Sequence, residues 1–401
     1  MQRKRNRTIA LPPLRRLLGG LDPAQFLRDY WQKKPLLVRR AIPELEHWLD
    51  PDGLFALAAR DEVESRLVRQ QGTRWHLEHG PFPATQRQRL PRRNWSLLVQ
   101  GVNLWLEAGD RLLDRFNFIP YARLDDLMVS FAPAGGGVGP HFDSYDVFLI
   151  QGLGRRRWEI SGQRDLDLVE DAPLRILQRF RVDESWVLEP GDLLYLPPQY
   201  AHNGVALSDC MTWSVGFRAP HGDELAGQFL AYLQDHLNLP AQRYADPDLR
   251  PARHPGRIPD AMQAGLRAML ARLDWGNREL TDFIGRHLSE PKAQVFFEPP
   301  QRPLSAPRFA ERARARGIRL DPRTRLLYDR RAFYLNGETI EVAPALRPHL
   351  RELADRREWH GDAADAAPLA LLHTWYLDGF VQIRRTLLQQ SNKAKKNRAT
   401  P

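Results

Sequence analysis

The sequence contains only one cysteine among its 401 residues, Cys210, so no disulfide can form within the chain. This fits a reducing compartment, and it excludes a zinc site built from several thiolates. No run approaches the roughly 18 uninterrupted apolar residues of a membrane span, and the start lacks the apolar core of a signal peptide. We therefore expect a soluble cytoplasmic protein in which histidine and carboxylate groups supply any metal ligands.

Most of the net charge of +10 lies at the two ends of the chain. Four basic residues stand among the first seven positions and four among positions 393–398, and without these eight the net charge is +2. Basic ends of this kind either remain solvated or bind a polyanion weakly. We expect solvated ends with, at most, a weak contact to RNA.

Between about Asp126 and Arg218 the sequence consists of short apolar segments that glycine and proline separate. These segments are rich in β-branched and aromatic residues, and their length and spacing are typical of strands in a small β-barrel or double-sheet roll. The regions on both sides have helical patterns, among them an apolar stripe that includes Met262, Leu266 and Leu270. This helix forms either a hairpin that covers a core or a dimer interface.

The C-terminal quarter of the chain mixes helical patterns with a strong signal for a two-residue hairpin, Asn336-Gly337. The proline-rich stretch 296–309 precedes this region and is typical of a linker. Several helices and one hairpin in so short a region favour a winged-helix-like module.

A histidine and an aspartate two positions apart, His141 and Asp143, lie inside the strand-rich region. On a strand both side chains point to the same face, so one strand offers two ligands to one ion. A third ligand from a later strand is His202, at a strand entrance in YLPPQYAHNGVA. Two histidines and one carboxylate on one face of an octahedron leave three positions open, which suits Fe(II), 2-oxoglutarate and O2.

The spacing of this pair is not specific, because the same pattern recurs at His76, His221 and His360. We place those three in helical or loop contexts and expect no metal there. His141 differs because it follows the glycine-rich loop AGGGVGP, which lets backbone and ligands approach closely.

One arginine is predicted to point into the core. Alternation in RRRWEI places Arg156 on the same face as Trp158 and Ile160. A buried guanidinium without an anion is costly, and a bidentate carboxylate offsets that cost. Arg156 therefore binds the far carboxylate of 2-oxoglutarate or forms an internal salt bridge, for example with Asp192.

Two hydroxyl side chains are candidates for hydrogen bonds to the co-substrate. Ser214 lies on the small polar face of the last strand, opposite Trp213, and Ser130 lies on an earlier strand. The alternative, which is more common in sheets, is a hydroxyl whose hydrogen bonds stay within its own sheet. Tyr145 either shapes the substrate channel or packs in the core.

Three segments carry a resemblance to a known family: GGGVGPHFDSYDVFLIQGLGRRRWEI, EPGDLLYLPPQYAHNGVA and FLRDYWQKKPLLVRR. Together they resemble the JmjC-type cupin ribosomal oxygenases, and the resemblance spans most of the chain. It is closest to the bacterial branch, which hydroxylates an arginine of large-subunit ribosomal protein sixteen. In that branch an arginine rather than a lysine holds the end carboxylate of the co-substrate.

The resemblance implies an α+β fold with a double-stranded β-helix core of the cupin/jelly-roll, JmjC type, a helical dimerisation segment and a C-terminal winged-helix-like domain. We assign residues 1–220, 221–295 and 296–401 to these three parts, the last with a basic tail. The implied site residues are the iron ligands His141, Asp143 and His202, and Arg156 at the end carboxylate of 2-oxoglutarate. Ser130 and Ser214 are further candidates for co-substrate binding that rest on their strand positions and not on the resemblance. The implied partners are a ribosomal protein substrate and a second copy of the chain, with a possible weak ribosomal RNA contact through the basic ends and no membrane.

Two other functions remain open beside arginine hydroxylation. An N-methyl demethylase would use the same oxidant, and only the substrate pocket separates the two. A metal-binding cupin without turnover could act as a nucleic-acid-binding regulator through the winged helix and the basic ends. Such a regulator would consume no 2-oxoglutarate, and its binding to RNA or DNA would depend strongly on salt.

Overall fold

The computed structural model describes residues 13–43, 45–83, 85–237, 243–360 and 366–384. The basic ends, to which the sequence assigns a possible RNA contact, lie outside these residues. The chain divides into two compact units: Met1–Ala219 with Lys292–Thr324 and Asp355–Pro401, and Pro220–Pro291 with Arg325–Ala354. The domain boundaries stated above stay a prediction.

The described residues form helices and strands along the whole chain. The helices are α1 (Leu14–Leu17), α2 (Pro23–Asp29), α3 (Pro51–Ala58), α4 (Gln86–Arg89), α5 (Glu107–Leu113), α6 (Gly222–His236), α7 (Asp260–Leu270), α8 (Asn277–Ser289), α9 (Ala306–Arg316), α10 (Arg347–Arg356) and α11 (Ala366–Leu377). The strands are β1 (Leu36–Val38), β2 (Ser65–Gln71), β3 (Arg74–His79), β4 (Trp95–Val99), β5 (Leu124–Ala132), β6 (Val147–Leu153), β7 (Arg156–Ser161), β8 (Glu184–Leu188), β9 (Leu193–Leu196), β10 (Ala201–Ala206), β11 (Cys210–Phe217), β12 (Ile318–Leu320), β13 (Leu326–Tyr328), β14 (Phe333–Leu335), β15 (Glu338–Ile340), β16 (Glu358–Trp359) and β17 (Val381–Ile383). Short 3-10 turns lie at Leu45–His47, Val102–Leu104, Asp114–Phe116 and Pro344–Leu346.

Two antiparallel sheets of the first unit share an apolar layer. The larger sheet has the strand order β1-β9-β6-β11-β5-β4-β2-β3, and the smaller has the order β10-β7-β8. Both contribute to the layer between them, which consists of Val147, Leu149, Trp158, Ile160, Leu188, Leu194 and Leu196. The predicted double-sheet roll, formed by β5 to β11, is confirmed.

The opposite face of the larger sheet packs against the N-terminal helices. Successive side chains of a strand point to opposite faces. Trp213 and Val215 of β11 are therefore buried in this second core, together with Phe26 of α2, while Thr212 and Ser214 point into the space between the sheets. The sheet thus brings its hydroxyl side chains to the interior of the roll.

The N-terminal segment contributes α2 and an edge strand of the larger sheet. Asp22 begins α2 with a capping box, in which its carboxylate accepts the Gln25 backbone N–H at 2.8 Å and the Gln25 side chain accepts the Asp22 N–H at 3.0 Å. After this helix, β1 pairs with β9 and adds an edge strand to the larger sheet.

In the second unit, β14 and β15 form the predicted hairpin. Asn336 and Gly337 have φ angles of 51° and 90°, the left-handed conformations that a two-residue turn of this type requires. The apolar stripe of α7 was predicted to cover a core as part of a helical hairpin or to form a dimer interface. The first alternative is not found, because α7 buries none of its residues and Leu266 and Leu270 are 39% and 66% exposed. The dimer interface stays a prediction. None of the helices in the described ranges is long and apolar enough to cross a bilayer.

A partly buried ion network joins α5 and the turn after it to β12 and to the residue before β16. Arg319 pairs with Asp110, and Arg357 lies 3.9 Å from Asp114. Burial raises the pKa of Asp114 to about 6, and Arg357 opposes this shift. Because the pKa in the folded state is above that in the unfolded state, the folded protein holds one proton more between about pH 4 and 6.

We therefore expect the contribution of Asp114 to stability to decrease as the pH rises through this window. The free energy of unfolding, measured with urea, should decrease by roughly 2 kcal/mol more in the wild type than in Asp114→Asn between pH 4 and 7. Equal pH dependence in the two proteins would show that this carboxyl group is not buried as described.

Candidate metal centre

The two candidate histidines are joined through their backbones. The His141 N–H donates to the His202 carbonyl oxygen at 2.9 Å, and the His202 N–H donates to the His141 carbonyl oxygen at 2.8 Å. This isolated bridge attaches the connection between β5 and β6 to the start of β10. The prediction that His141 and Asp143 share a regular strand is wrong, because only His141 takes part in a bridge and Asp143 lies in the connection. His202 lies on a strand as predicted.

The glycine-rich loop before His141 permits a close approach, as predicted. Gly139 has a φ of 81°, and a Cβ atom at this position would lie 2.7 Å from Ile176 Cδ1 and 2.9 Å from Trp75 Cζ2. A larger residue would displace these side chains or the loop. The Gly139 carbonyl oxygen also lies 2.9 Å from His141 Nδ1.

A buried aspartate anchors the connection that carries Asp143. The Asp146 side chain has no exposed surface, and it accepts hydrogen bonds from Tyr195 at 2.6 Å and from the Gln32 side chain at 2.9 Å. The Asp143 carbonyl oxygen accepts the Gln199 N–H at 2.6 Å. Sequence reasoning missed Asp146, although a charged residue at the start of the apolar run VFLI is a recognisable signal of a buried polar contact.

The three predicted ligands are brought together. One nitrogen or oxygen atom from each of His141, Asp143 and His202 lies within 4.8 Å of the other two. The His202 Nε2 atom is 3.7 Å from an Asp143 carboxylate oxygen, and the two imidazole rings are 4.2 Å apart. In the part of the chain that the structure describes, this is the one group of three such residues with metal-binding geometry.

Both imidazole rings are oriented for binding through Nε2. His202 Nδ1 lies 2.8 Å from the Tyr200 carbonyl oxygen, and His141 Nδ1 makes the corresponding contact with Gly139. A carbonyl oxygen only accepts, so Nδ1 carries the proton and Nε2 keeps a free lone pair. Burial, followed by the nearby His141, lowers the pKa of His202 to about 4, so that its ring is neutral near pH 7.

The other instances of the His-x-acid pattern lie elsewhere. His76 and Glu78 lie on β3, so placing this pair in a helix or loop was wrong, and Glu78 pairs with Arg69. His221 precedes the first turn of α6. The partner of His360, at position 362, lies outside the described residues.

The guanidinium of Arg156 is buried without hydrogen bonds at two of its nitrogens. The residue is 5% exposed, and neither Nε nor Nη2 has a hydrogen-bond partner among the residues that the structure describes. The alternative salt bridge with Asp192 is not present, because that carboxylate binds Arg39 and the backbone N–H groups of Arg40 and Glu189. The predicted alternation is confirmed, with Arg156 on the buried face of β7.

The two predicted hydroxyl groups lie on neighbouring strands of the larger sheet. Ser130 pairs with Thr212 in the register of β5 and β11, and Ser214 follows two positions later on the same face of β11. Both serines are buried, at 5% and 6% exposure. Their role in co-substrate binding stays a prediction.

Known protein families match both the strand-rich region with the metal centre and the C-terminal region of the chain. Residues 111–225 match the JmjC domain family, and residues 268–382 match the family of ROXA-like winged helices. A ribosomal protein uL16 3-hydroxylase from Escherichia coli is 37% identical over 378 residues, which cover 90% of this chain and 98% of that protein. This chain belongs to the JmjC-type ribosomal oxygenases.

Further members of the ribosomal oxygenases support the assignment. A probable ribosomal oxygenase of Haemophilus influenzae is 42% identical over 208 residues, which cover 50% of each chain. A structure of the Escherichia coli ribosomal oxygenase YcfD in complex with cobalt and 2-oxoglutarate is 36% identical, with a TM-score of 0.75 over 90% of this chain and 98% of that chain. The predicted JmjC cupin core and C-terminal winged helix are confirmed.

Proposed function

We propose that this protein is an Fe(II)- and 2-oxoglutarate-dependent oxygenase that hydroxylates an arginine side chain of ribosomal protein uL16. The observation that carries the proposal is the cluster of His141, Asp143 and His202 in the same roll as the unpaired guanidinium of Arg156. The similar hydroxylase from Escherichia coli is named for the substrate uL16.

The donor set fits Fe(II). Two imidazole nitrogens and one carboxylate oxygen are the ligands of the facial triad, which leaves positions open for a co-substrate and O2. A structural zinc site would instead close four positions, often with thiolates. The related YcfD complex contains cobalt, and divalent cobalt has ligand preferences similar to those of Fe(II).

Arg156 fits the far end of 2-oxoglutarate. On β10, His202 pairs with Ile160 and Ala206 pairs with Arg156. The arginine backbone is thus four residues along the sheet from the metal cluster, about 13 Å at roughly 3.3 Å per residue. An extended arginine and a five-carbon dicarboxylate together span such a gap, and the two unpaired nitrogens supply the donors that a carboxylate accepts.

The protein's own residues would bind and orient the reactants. With Fe(II), 2-oxoglutarate and O2 bound, the centre supplies an oxidant that converts an unactivated C–H bond to C–OH while 2-oxoglutarate becomes succinate and CO2. The backbone bridge between His141 and His202 fixes the spacing of two ligands, and Asp146 anchors the segment that carries the third. The apolar layer between the sheets excludes water, and Arg156 holds the co-substrate in one orientation.

A cationic substrate side chain fits the charges near Tyr145. The Asp143 carboxylate, followed by burial and by Asp126, raises the pKa of Tyr145 above its usual value, although Arg66 opposes this. Asp126 shares one face of β5 with Ser130 and accepts hydrogen bonds from Lys292 at 3.0 Å and from Gln100. Its remaining lone pairs can accept hydrogen bonds from a guanidinium group.

Anaerobic loading with Fe(II) and 2-oxoglutarate, followed by air and uL16 or its peptides, tests the proposed function. We expect a gain of one oxygen on an arginine, together with one succinate, by intact-mass and tandem mass spectrometry. Loss of a methyl group from a methylated substrate would instead indicate a demethylase. A protein that binds one iron per chain but forms no succinate would contradict the proposed catalysis.

Asp126→Asn should lower kcat/KM for the arginine peptide about 10-fold or more, since a hydrogen bond to a charged group contributes roughly 1.5–3 kcal/mol. Glu159→Gln is a matched control, because Glu159 lies on the other face of β7 and accepts from Asn203. Equal kcat/KM values for the two variants would show that Asp126 does not bind the substrate.

A further inference from the structure

Positive charge is concentrated in one internal segment, which the nearly balanced charge of the chain body conceals. Residues 65–94 contain seven arginines, one glutamate and no other charged residue, a net charge of +6. Since the chain without its basic ends carries +2, the rest of the body is net negative. The positive charge is therefore a local feature of β2, β3, α4 and their connections.

Four of these arginines are exposed and have no acidic partner in the described part of the chain. Two others are neutralised, because Arg69 pairs with Glu78 and Arg87 pairs with Asp52. A third, Arg66, is only partly exposed. The remaining four form what we call the basic face: Arg74, Arg89, Arg92 and Arg93. None of them makes an ion pair with any residue in the described ranges.

The fold brings the two parts of the basic face together. Arg74 begins β3 directly after the turn that joins it to β2, and the Gln70 N–H of that hairpin donates to the Asn94 carbonyl oxygen at 2.9 Å. Asn94 directly follows Arg92 and Arg93 in the sequence. The hairpin end and the loop after α4 therefore present one continuous surface.

This surface borders the loop that leads to the metal ligands. The Asn94 N–H donates to the Ala134 carbonyl oxygen at 3.3 Å, and a Cβ atom on Gly135 would lie 3.9 Å from Arg93 Nε. Further along the loop, a Cβ atom on Gly139 would lie 2.9 Å from Cζ2 of Trp75, the neighbour of Arg74. A molecule bound to the basic face would thus lie beside the loop that leads to His141.

We propose that the basic face binds the phosphate backbone of RNA that surrounds the substrate, so that this protein acts on its ribosomal protein when that protein is associated with RNA. The inference rests on the proposed function for the identity of the substrate. Exposed guanidinium groups bind phosphates, often in pairs of hydrogen bonds. A free ribosomal protein is itself basic and would be repelled by this face, whereas RNA is attracted.

RNA binding by the full-length protein tests the proposal without any need for turnover. The probe is a fluorescent ribosomal RNA hairpin, with anisotropy measured from 50 to 300 mM salt. Changing all four arginines of the basic face to glutamine should weaken binding about 10- to 100-fold at low salt and should reduce the slope of log K against log salt by about 3. The double variant Arg92→Gln with Arg93→Gln should show about half of the change in slope.

A second basic surface provides a matched control. The control variant also carries four changes of an exposed arginine to glutamine, in and just before α9: Arg302, Arg308, Arg312 and Arg314. We expect this control to keep most of the RNA affinity. An equal loss in both variants, or no RNA binding by the wild type, would overturn the proposal.

Hydroxylation assays separate this proposal from the proposed function. The quadruple variant should modify a short uL16 peptide as fast as the wild type, but should modify uL16 bound to RNA at least about 5-fold more slowly, in line with the loss of phosphate contacts. Equal rates on both substrates would overturn the RNA contact and leave the hydroxylase intact. Absence of hydroxylation on either substrate would overturn the proposed function, whatever the RNA affinity.

Discussion

The rate of hydroxylation by His202→Ala will be lower than that of the wild type by a factor of about 10³ or more. This is equivalent to roughly 4 kcal/mol of transition-state stabilisation. Asp143→Ala should behave in the same way. Each substitution removes one of three atoms that lie within 4.8 Å of one another. Two protein ligands remain, and they no longer fix the position and coordination geometry of the ion. Metal affinity should therefore fall together with activity.

Metal binding is measured directly by titration with Co(II), whose visible absorption reports the coordination, and by iron content after anaerobic loading. His76→Ala is the matched control, because this histidine has the same spacing to an acid, Glu78, but lies on β3 outside the cluster. We expect His76→Ala to bind metal like the wild type. Unchanged Co(II) affinity in His202→Ala and Asp143→Ala would contradict the assignment of the ligands.

Local patterns predict much of the roll and most of the site. Alternation along β7 and β11 places Arg156 inside and Ser214 opposite Trp213. The burial of Arg156 confirms the first assignment, and the packing of Trp213 in the core on the other side of the larger sheet confirms the second. These predictions succeed because alternate side chains of a strand point to opposite faces, so a sequence that alternates between two residue types shows which face is which. His202 could be recognised because it stands at the start of a strand that follows a turn.

Predictions failed where the position of a residue depends on distant parts of the chain. His141 and Asp143 were assigned to a strand, yet the segment is held by a bridge to His202 and by Asp146, which binds Tyr195 and Gln32. Such contacts join residues more than forty positions apart and leave no period in the sequence. The basic face was missed for a related reason, since the charge of the whole chain body averages out its local excess.

Arg156→Met will abolish efficient use of 2-oxoglutarate while making the protein without co-substrate more stable. Two nitrogens of the buried guanidinium lack hydrogen bonds, and each unsatisfied buried donor costs about 1–3 kcal/mol. Methionine fills a similar volume without that cost, so the free energy of unfolding should rise by about 2 kcal/mol or more. The KM for 2-oxoglutarate should increase about 100-fold or more, because the proposed charge-assisted contacts of Arg156 to its end carboxylate would be lost.

Thermal unfolding with and without ligand separates the two effects. Co(II) with 2-oxoglutarate should raise the Tm of the wild type, since binding to the folded state stabilises it by RT ln(1 + [L]/Kd), but should raise that of Arg156→Met only as much as Co(II) alone. Arg157→Met is the control, because the neighbouring arginine lies on the other face of β7 and pairs with Glu159. A destabilised Arg156→Met that still responds to 2-oxoglutarate would mean that the arginine serves the fold. A stabilised Arg156→Met whose Tm no longer responds to 2-oxoglutarate would mean the reverse. The fold then tolerates an unpaired buried charge because the co-substrate provides its partner.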